Sequence, residues 1–166
     1  MLSAATGLNT VGTLALTGEG GQYVTFLLGD EEYALEILAV QEIIGFTRIT
    51  HVPHMPDFIK GVINLRGTVV PVVDLRLKFG LGHADYNSHT CVIVVNMGER
   101  TMGMIVDVVS EVVNLPEGSV EPAPPFGANI HADFIKGMGK AGDRLLIILD
   151  IEKVLSNEEL AAIVNA

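Results

Sequence analysis

Asp57-Phe58-Ile59-Lys60-Gly61 recurs residue for residue as Asp133-Phe134-Ile135-Lys136-Gly137, 76 positions further along the chain. The agreement runs on at the same spacing: Val70, Val72, Asp74 and Leu75 fall on Leu146, Ile148, Asp150 and Ile151. Upstream, Val24 to Gly29 falls on Ile93 to Gly98, and Val40-Gln41-Glu42-Ile43-Ile44 falls on Val109-Ser110-Glu111-Val112-Val113, both at a spacing of 69. The change of spacing places seven extra residues in the second copy, and Glu121-Pro122-Ala123-Pro124-Pro125 is their natural location. Collinear blocks of this kind are the mark of a duplicated architecture. They divide the chain into a first half, 22–88, and a second, 89–155, with an N-terminal tail at 1–21 and a short C-terminal helix at 156–166.

Each half reads as strands. Gln22 to Leu28, the turn Gly29-Asp30-Glu31-Glu32 and Tyr33 to Ile37 make a hairpin. A short helical turn is expected within Leu38 to Ile44, then a strand at Thr47 to Val52 that ends at Pro53 and Pro56. Gly61 to Leu65 and Thr68 to Leu75 flank the turn Asn64-Leu65-Arg66-Gly67. The second half repeats the plan at Thr90 to Met97, Arg100 to Val109, Glu111 to Leu115, Phe134 to Met138 and Arg144 to Ile151. Five short strands per half suggest a small closed barrel, which also removes exposed strand edges. Cys91 to Val95 and Leu145 to Leu149 are apolar without alternation, so they are expected to be covered on both faces. A contact between the two barrels would supply that cover. The fold class is therefore all-β: two homologous five-stranded barrels around a shared hydrophobic core.

Composition limits the function. Hydrophobic residues make up 49% of the 166, aromatic residues only 5%, and Trp is absent. The core must then be built largely from aliphatic, often β-branched, side chains, which favour strands. Twenty acidic against ten basic residues give a net charge of −10. That balance disfavours a nucleic-acid backbone and an anionic membrane surface, and points to a protein partner. The rival from another class, a ligand- or nucleic-acid-binding barrel, lacks both aromatic stacking material and positive charge. The single cysteine, Cys91, cannot form an intramolecular disulfide; it reads as a buried, inert thiol in a reducing cytoplasmic setting. The first 18 residues lack a basic n-region and an uninterrupted apolar span, so neither a signal peptide nor direct membrane insertion is expected.

The chain shows little reactive chemistry. His51, His54, His83, His89 and His131 form no set with zinc-ligand spacing. Asp74 and Asp150 look like a carboxylate pair, but their equivalent places in the repeat argue that each accepts backbone N–H groups at a strand end. No enzyme, cofactor or metal is expected.

These motifs are specific enough to carry a family resemblance. Gly29-Asp30-Glu31-Glu32-Tyr33, Val40-Gln41-Glu42-Ile43, the run Phe58 to Gly67 with its Asn-Leu-Arg-Gly turn, Val70 to Arg76, and Gly142-Asp143-Arg144 with the following strand resemble the CheW family over about residues 22–160. The resemblance implies SH3-like barrels and an adaptor role in chemotaxis signal transduction, coupling the cytoplasmic tips of methyl-accepting chemoreceptors to the C-terminal regulatory domain of the histidine kinase CheA. It implies a cytoplasmic location at receptor arrays beneath the inner membrane. A sister role in a pili-linked chemosensory pathway uses the same fold.

Arg66 is the first candidate contact residue, because a tight turn presents it and Gly67 gives that turn its freedom. Two readings stand side by side: direct contact with a partner, or an ion pair with Glu42 that braces the barrel. Val40, Glu42 and Ile43 would line the barrel edge beside it, with ordinary core packing as the alternative for the two aliphatic residues. Ile37 is a further candidate. Gly61 allows either close backbone approach or a bulge.

Overall fold

A computed structural model describes residues 21–116, 118–122, 134–155 and 159. The expected tail, the proline-rich insertion beyond Pro122 and nearly all of the expected C-terminal helix lie outside the described residues. The elements are β1 (Gly21–Leu28), β2 (Glu31–Glu36), a 3-10 turn (Ile37–Ala39), β3 (Val40–Gly45), β4 (Ile59–Leu65), β5 (Thr68–Asp74), α1 (Leu75–Lys78), β6 (Cys91–Met97), β7 (Arg100–Val106), β8 (Val108–Leu115), β9 (Val120–Glu121), β10 (Ile135–Ala141), β11 (Arg144–Leu149) and a second 3-10 turn (Ile151–Lys153).

They form a five-stranded sheet in the order β3-β6-β7-β5-β4 and a six-stranded sheet in the order β9-β10-β11-β2-β1-β8. Replacing each strand of the first sheet by its repeat counterpart gives β8-β1-β2-β11-β10, which is the second sheet without β9. The irregularities repeat as well. The bulge between Val40 and Glu42 corresponds to that opposite Thr25 and Phe26, and the one between Ile59 and Gly61 to that between Ile135 and Gly137. The duplication is therefore a duplication of register as well as of sequence.

The halves are interleaved. Each sheet takes β1–β2 or its counterpart β6–β7 from one half and the remaining strands from the other. The junction is a short parallel pairing, Val72 with Gly103 in one sheet and Ile148 with Ala34 in the other. The boundary at 88/89 thus divides the sequence but not the sheets.

Each sheet is closed by the chain that leaves its edge strand. After β3, Thr50 and Val62 exchange backbone hydrogen bonds of 2.8 and 2.9 Å, joining that chain to β4 at the opposite edge. After β8, β9 pairs with β10 in the same way. The strand expected at Thr47 to Val52 is reduced to this one bridge. The helical turn expected within Leu38 to Ile44 is likewise shorter, Ile37–Ala39, because β-branched Val40, Ile43 and Ile44 extend to pair with β6.

Three clusters fill the interior. Ile63, Val70, Val72, Val92, Val94 and Ile105 occupy the first barrel, and Ala34, Leu115, Leu146 and Ile148 the second. The largest lies between the sheets and includes Phe26, Leu35, Val73, Ile93, Val95, Met104 and Leu149. Val92 and Val94 point into a barrel while Ile93 and Val95 face the other sheet, and Leu146 and Ile148 alternate with Ile147 and Leu149 in the same manner. Val92 to Val95 and Leu146 to Leu149 are therefore covered on both faces, while Leu145, expected to be covered, is exposed at the start of its strand. Stacked rings of Phe26, Tyr33, Phe79 and Phe134, with centroids 4.3 to 5.9 Å apart, run through the seam. Cys91, expected to be buried, is half-buried: it opens β6, and its Sγ lies 3.3 Å from the His89 carbonyl oxygen.

Candidate partner-binding site

The β4–β5 hairpin has a two-residue turn, with Leu65 paired to Thr68. Arg66 (φ 51°) and Gly67 (φ 89°) both have positive φ, as a tight right-twisting hairpin requires. The Asn64 side chain accepts from Gly67 N at 2.8 Å. For arginine this backbone region is unfavourable, and it persists only where something else fixes it. The guanidinium reaches β3 and donates to both carboxylate oxygens of Glu42, Nη1 to Oε1 at 3.2 Å and Nη2 to Oε2. That contact holds the guanidinium pKa above its usual value. The Arg66 side chain is still 68% exposed. Arg66 thus braces β3 against the hairpin and at the same time presents its outer edge to solvent.

The other candidates separate. Val40 and Ile43 are half-buried on β3 and pack against the core between the sheets. Gly61 is buried: at φ +143° a Cβ would lie 2.0 Å from the Thr50 carbonyl oxygen. Close approach and bulge are both present there, and the glycine serves closure of the barrel. Ile37 is buried away from Arg66, lining a cavity of about 380 Å³ with Tyr23, Leu115 and Val120. Gln22, also on that wall, has a buried Oε1 with no hydrogen-bond partner among the described residues.

Reading the sequence missed a second brace. Glu111, the counterpart of Glu42, is held by Arg144 Nη1, and Arg144 also grips Glu32 through Nε (3.0 Å) and Nη2 (2.6 Å). The aligned glutamates were the available signal. Val69 and Leu145 were missed as well; they occupy equivalent hairpin positions and are 65% and 53% exposed. Each barrel therefore ends in a hairpin with an Arg–Glu brace and an exposed aliphatic side chain.

Asp74 and Asp150 do the structural work expected of them. Asp74 accepts from Leu77 N (3.3 Å) and Asp150 from Glu152 N (3.2 Å), each capping the helical turn that follows its strand. Among the described residues no cluster of His, Cys, Asp and Glu is placed to hold a metal ion, and no helix is long and apolar enough to cross a membrane.

With this geometry in place, comparison with known proteins is decisive. A family model described as the CheW-like domain matches residues 22–159. The chain belongs to the CheW family. It is 46% identical to the chemotaxis protein CheW of Klebsiella aerogenes over 159 residues, 96% of each chain, and 33% identical to CheW of Rhizobium meliloti over 89% of this chain and 95% of that one. The crystal structure of the scaffolding protein TtCheW from Thermoanaerobacter tengcongensis superposes with a TM-score of 0.78 at 36% identity, covering 84% of this chain and 95% of that one. The all-β, two-sheet plan read from the repeat is thus the CheW plan, and the chain is a member of a family of chemotaxis scaffolds.

Proposed function

We propose that this chain couples the cytoplasmic tips of chemoreceptors to the histidine kinase CheA in receptor–kinase arrays, and that the Arg66 hairpin is one of its gripping surfaces. The observation that carries the assignment is Arg66 itself. A brace to Glu42 alone does not call for an arginine at positive φ, because the second barrel makes the corresponding brace from a strand position, Arg144. Arg66 keeps an exposed planar edge on the hairpin, and Arg is enriched among the hot spots of protein interfaces. Val40, Glu42 and Ile43 support this surface from below, Glu42 by orienting the guanidinium and the two aliphatic residues by anchoring β3. Gly61 enters indirectly, through the closure of the barrel, and Ile37 stands apart, in the wall of a separate cavity.

The test measures assembly of the full chain with CheA and a receptor tip fragment, together with melting curves. Arg66→Ala is expected to weaken binding to at least one partner by ~30-fold, the scale of a hot-spot truncation. Val40→Glu should do the same, but Val40 packs on the shared core, so Val69→Asp serves as the variant that leaves folding intact. Full binding by folded Arg66→Ala and Val69→Asp would remove this surface from the reading.

A further inference from the structure

The connection that carries the chain from one sheet to the other differs between the two halves. In the first half it is the 3-10 turn Ile37–Ala39, between β2 and β3. In the repeat these residues fall on Val106, Asp107 and Val108, where β7 passes into β8 with Asp107 alone between the strands. One molecule thus holds the same connection both as a turn and as nearly continuous strand. Asp107 is fixed in place, accepting from Gly29 N (2.8 Å) and from Arg76 Nη1 (2.7 Å). Its counterpart Leu38 has an aliphatic side chain that is 74% exposed.

The turn is lightly held. Ile37 is buried, but there is no side-chain cap, and the closing bond runs from Val40 N to the Ile37 carbonyl. Glu36 (φ −58°, ψ 133°) and Val40 (φ −93°, ψ 121°), on either side, are already extended. Straightening the three residues between them would join Glu31–Glu36 and Val40–Gly45 into one strand.

Ahead of the turn lies the β1–β2 hairpin. Among the described residues its ladders to other strands run only to the second half, β1 to β8 and β2 to β11. Phe26, Leu28, Tyr33 and Leu35 of this hairpin are buried. Register and packing specify these pairings, and the link at Ile37–Ala39 does not, so β8 and β11 of an identical chain offer the hairpin the same partners. Exchange of an element between copies keeps such contacts and alters only the connection, which makes it a low-cost route to a dimer.

We propose that the protein forms a dimer with a second copy of itself by exchanging the β1–β2 hairpin, with Ile37–Ala39 as the hinge. Each hairpin then pairs with β8 and β11 of the other chain, and residues 31–45 run as one strand. Leu38 is covered where the two straightened hinges meet. The exchange makes no use of the Arg66 hairpin, and the dimer carries two of them.

The test uses the full chain with Cys91→Ser, Gln22→Cys and Asn114→Cys, the last two being register partners on β1 and β8. The protein is unfolded, refolded at high concentration under reducing conditions and separated by size. A dimer fraction is expected. Oxidising it should link its two chains, so that they migrate together on a denaturing gel without reductant, whereas the monomer closes the bond within one chain. Dimer chains that come apart, each with its own internal bond, would reveal an ordinary surface contact and overturn the proposal. So would the absence of any dimer. Deleting Leu38 and Ala39 leaves the hinge too short to turn back, and should lower the concentration at which dimer forms by about ten-fold or more; inserting Gly-Gly-Ser after Leu38 should raise it. A folded monomer from the shortened chain, or an unchanged midpoint for the lengthened one, overturns the proposal. Should the shortened chain fail to fold, the lengthened chain and the cross-link decide. Arg66→Ala is expected to leave the dimer intact, and its loss there would assign the contact to the hairpin surface and overturn the exchange.

Discussion

The two β-hairpins that cap the barrels, at Leu65–Thr68 and Ala141–Arg144, occupy equivalent places and answer one mechanical need in two ways. In the second, the left-handed turn position is Gly142, which adopts φ 65° without steric cost, and the arginine stands on the following strand. In the first, the arginine itself occupies the left-handed position at φ 51°. Both tie a hairpin to the same repeated glutamate. Since a relaxed solution is present in the same molecule, bracing alone does not call for an arginine at this position, which is what motivates the gripping role proposed for it.

The largest expected effect tests whether the halves are one body. Phe26 is fully buried in the seam, and Phe26→Ala is expected to cost about 3–5 kcal/mol, with both sheets lost in a single transition followed by circular dichroism and near-ultraviolet signals. Two separate transitions would break the interleaved picture. Next comes Gly61→Ala, expected to cost about 2–3 kcal/mol because the added Cβ meets backbone at a positive φ. The equivalent change, Gly137→Ala, should cost less, since the Glu121 carbonyl lies farther away at 2.7 Å and φ is not in the left-handed region. Denaturant melts of the two variants compare them directly.

Tyr86→Phe removes a hydroxyl bonded to a buried carboxylate and is expected to cost about 1–2 kcal/mol near neutral pH. Burial, and then Asp74, hold the phenol pKa above its ordinary value of 10.0, so the folded hydroxyl keeps its proton where the unfolded one ionises. Its contribution is complete below pH 10 and is lost as pH rises through the folded pKa. Tyr86→Phe should therefore flatten part of the alkaline fall in stability, Tyr23, Tyr33 and Lys136 supplying more of it. The smallest expected change in stability is that of Arg66→Gly, which copies the turn of the second barrel. Its melting temperature should stay close to that of the unaltered chain while partner binding falls. A large loss of stability would make Arg66 a brace and nothing more.

Much of this was legible before any coordinates. Alternation and turn residues located nearly every strand, and the aligned blocks even matched the bulges at Gln41 and Ser110. The Arg66–Glu42 pair was one of the two readings that the turn arginine left open, and the structure contains it. Thr47 to Val52 misled, since its β-branched residues suit a strand but contribute only the bridge at Thr50. The brace made by Arg144 escaped notice because this residue lies two positions beyond the repeat counterpart of Arg66.

What the sequence determined alone was the duplicated strand plan, its aliphatic core and the family. What only the tertiary structure decided was which copy's strands pair with which. Two near-identical strand sets offer edges of the same pattern, so pairing within a half and pairing between halves look alike locally. The choice falls to packing: the shared core buries Phe26, Ile93, Met104 and Leu149 together only when β1–β2 and β6–β7 cross into the opposite sheet. That crossing also brings Asp107 of the second half within 2.7 Å of Arg76 of the first.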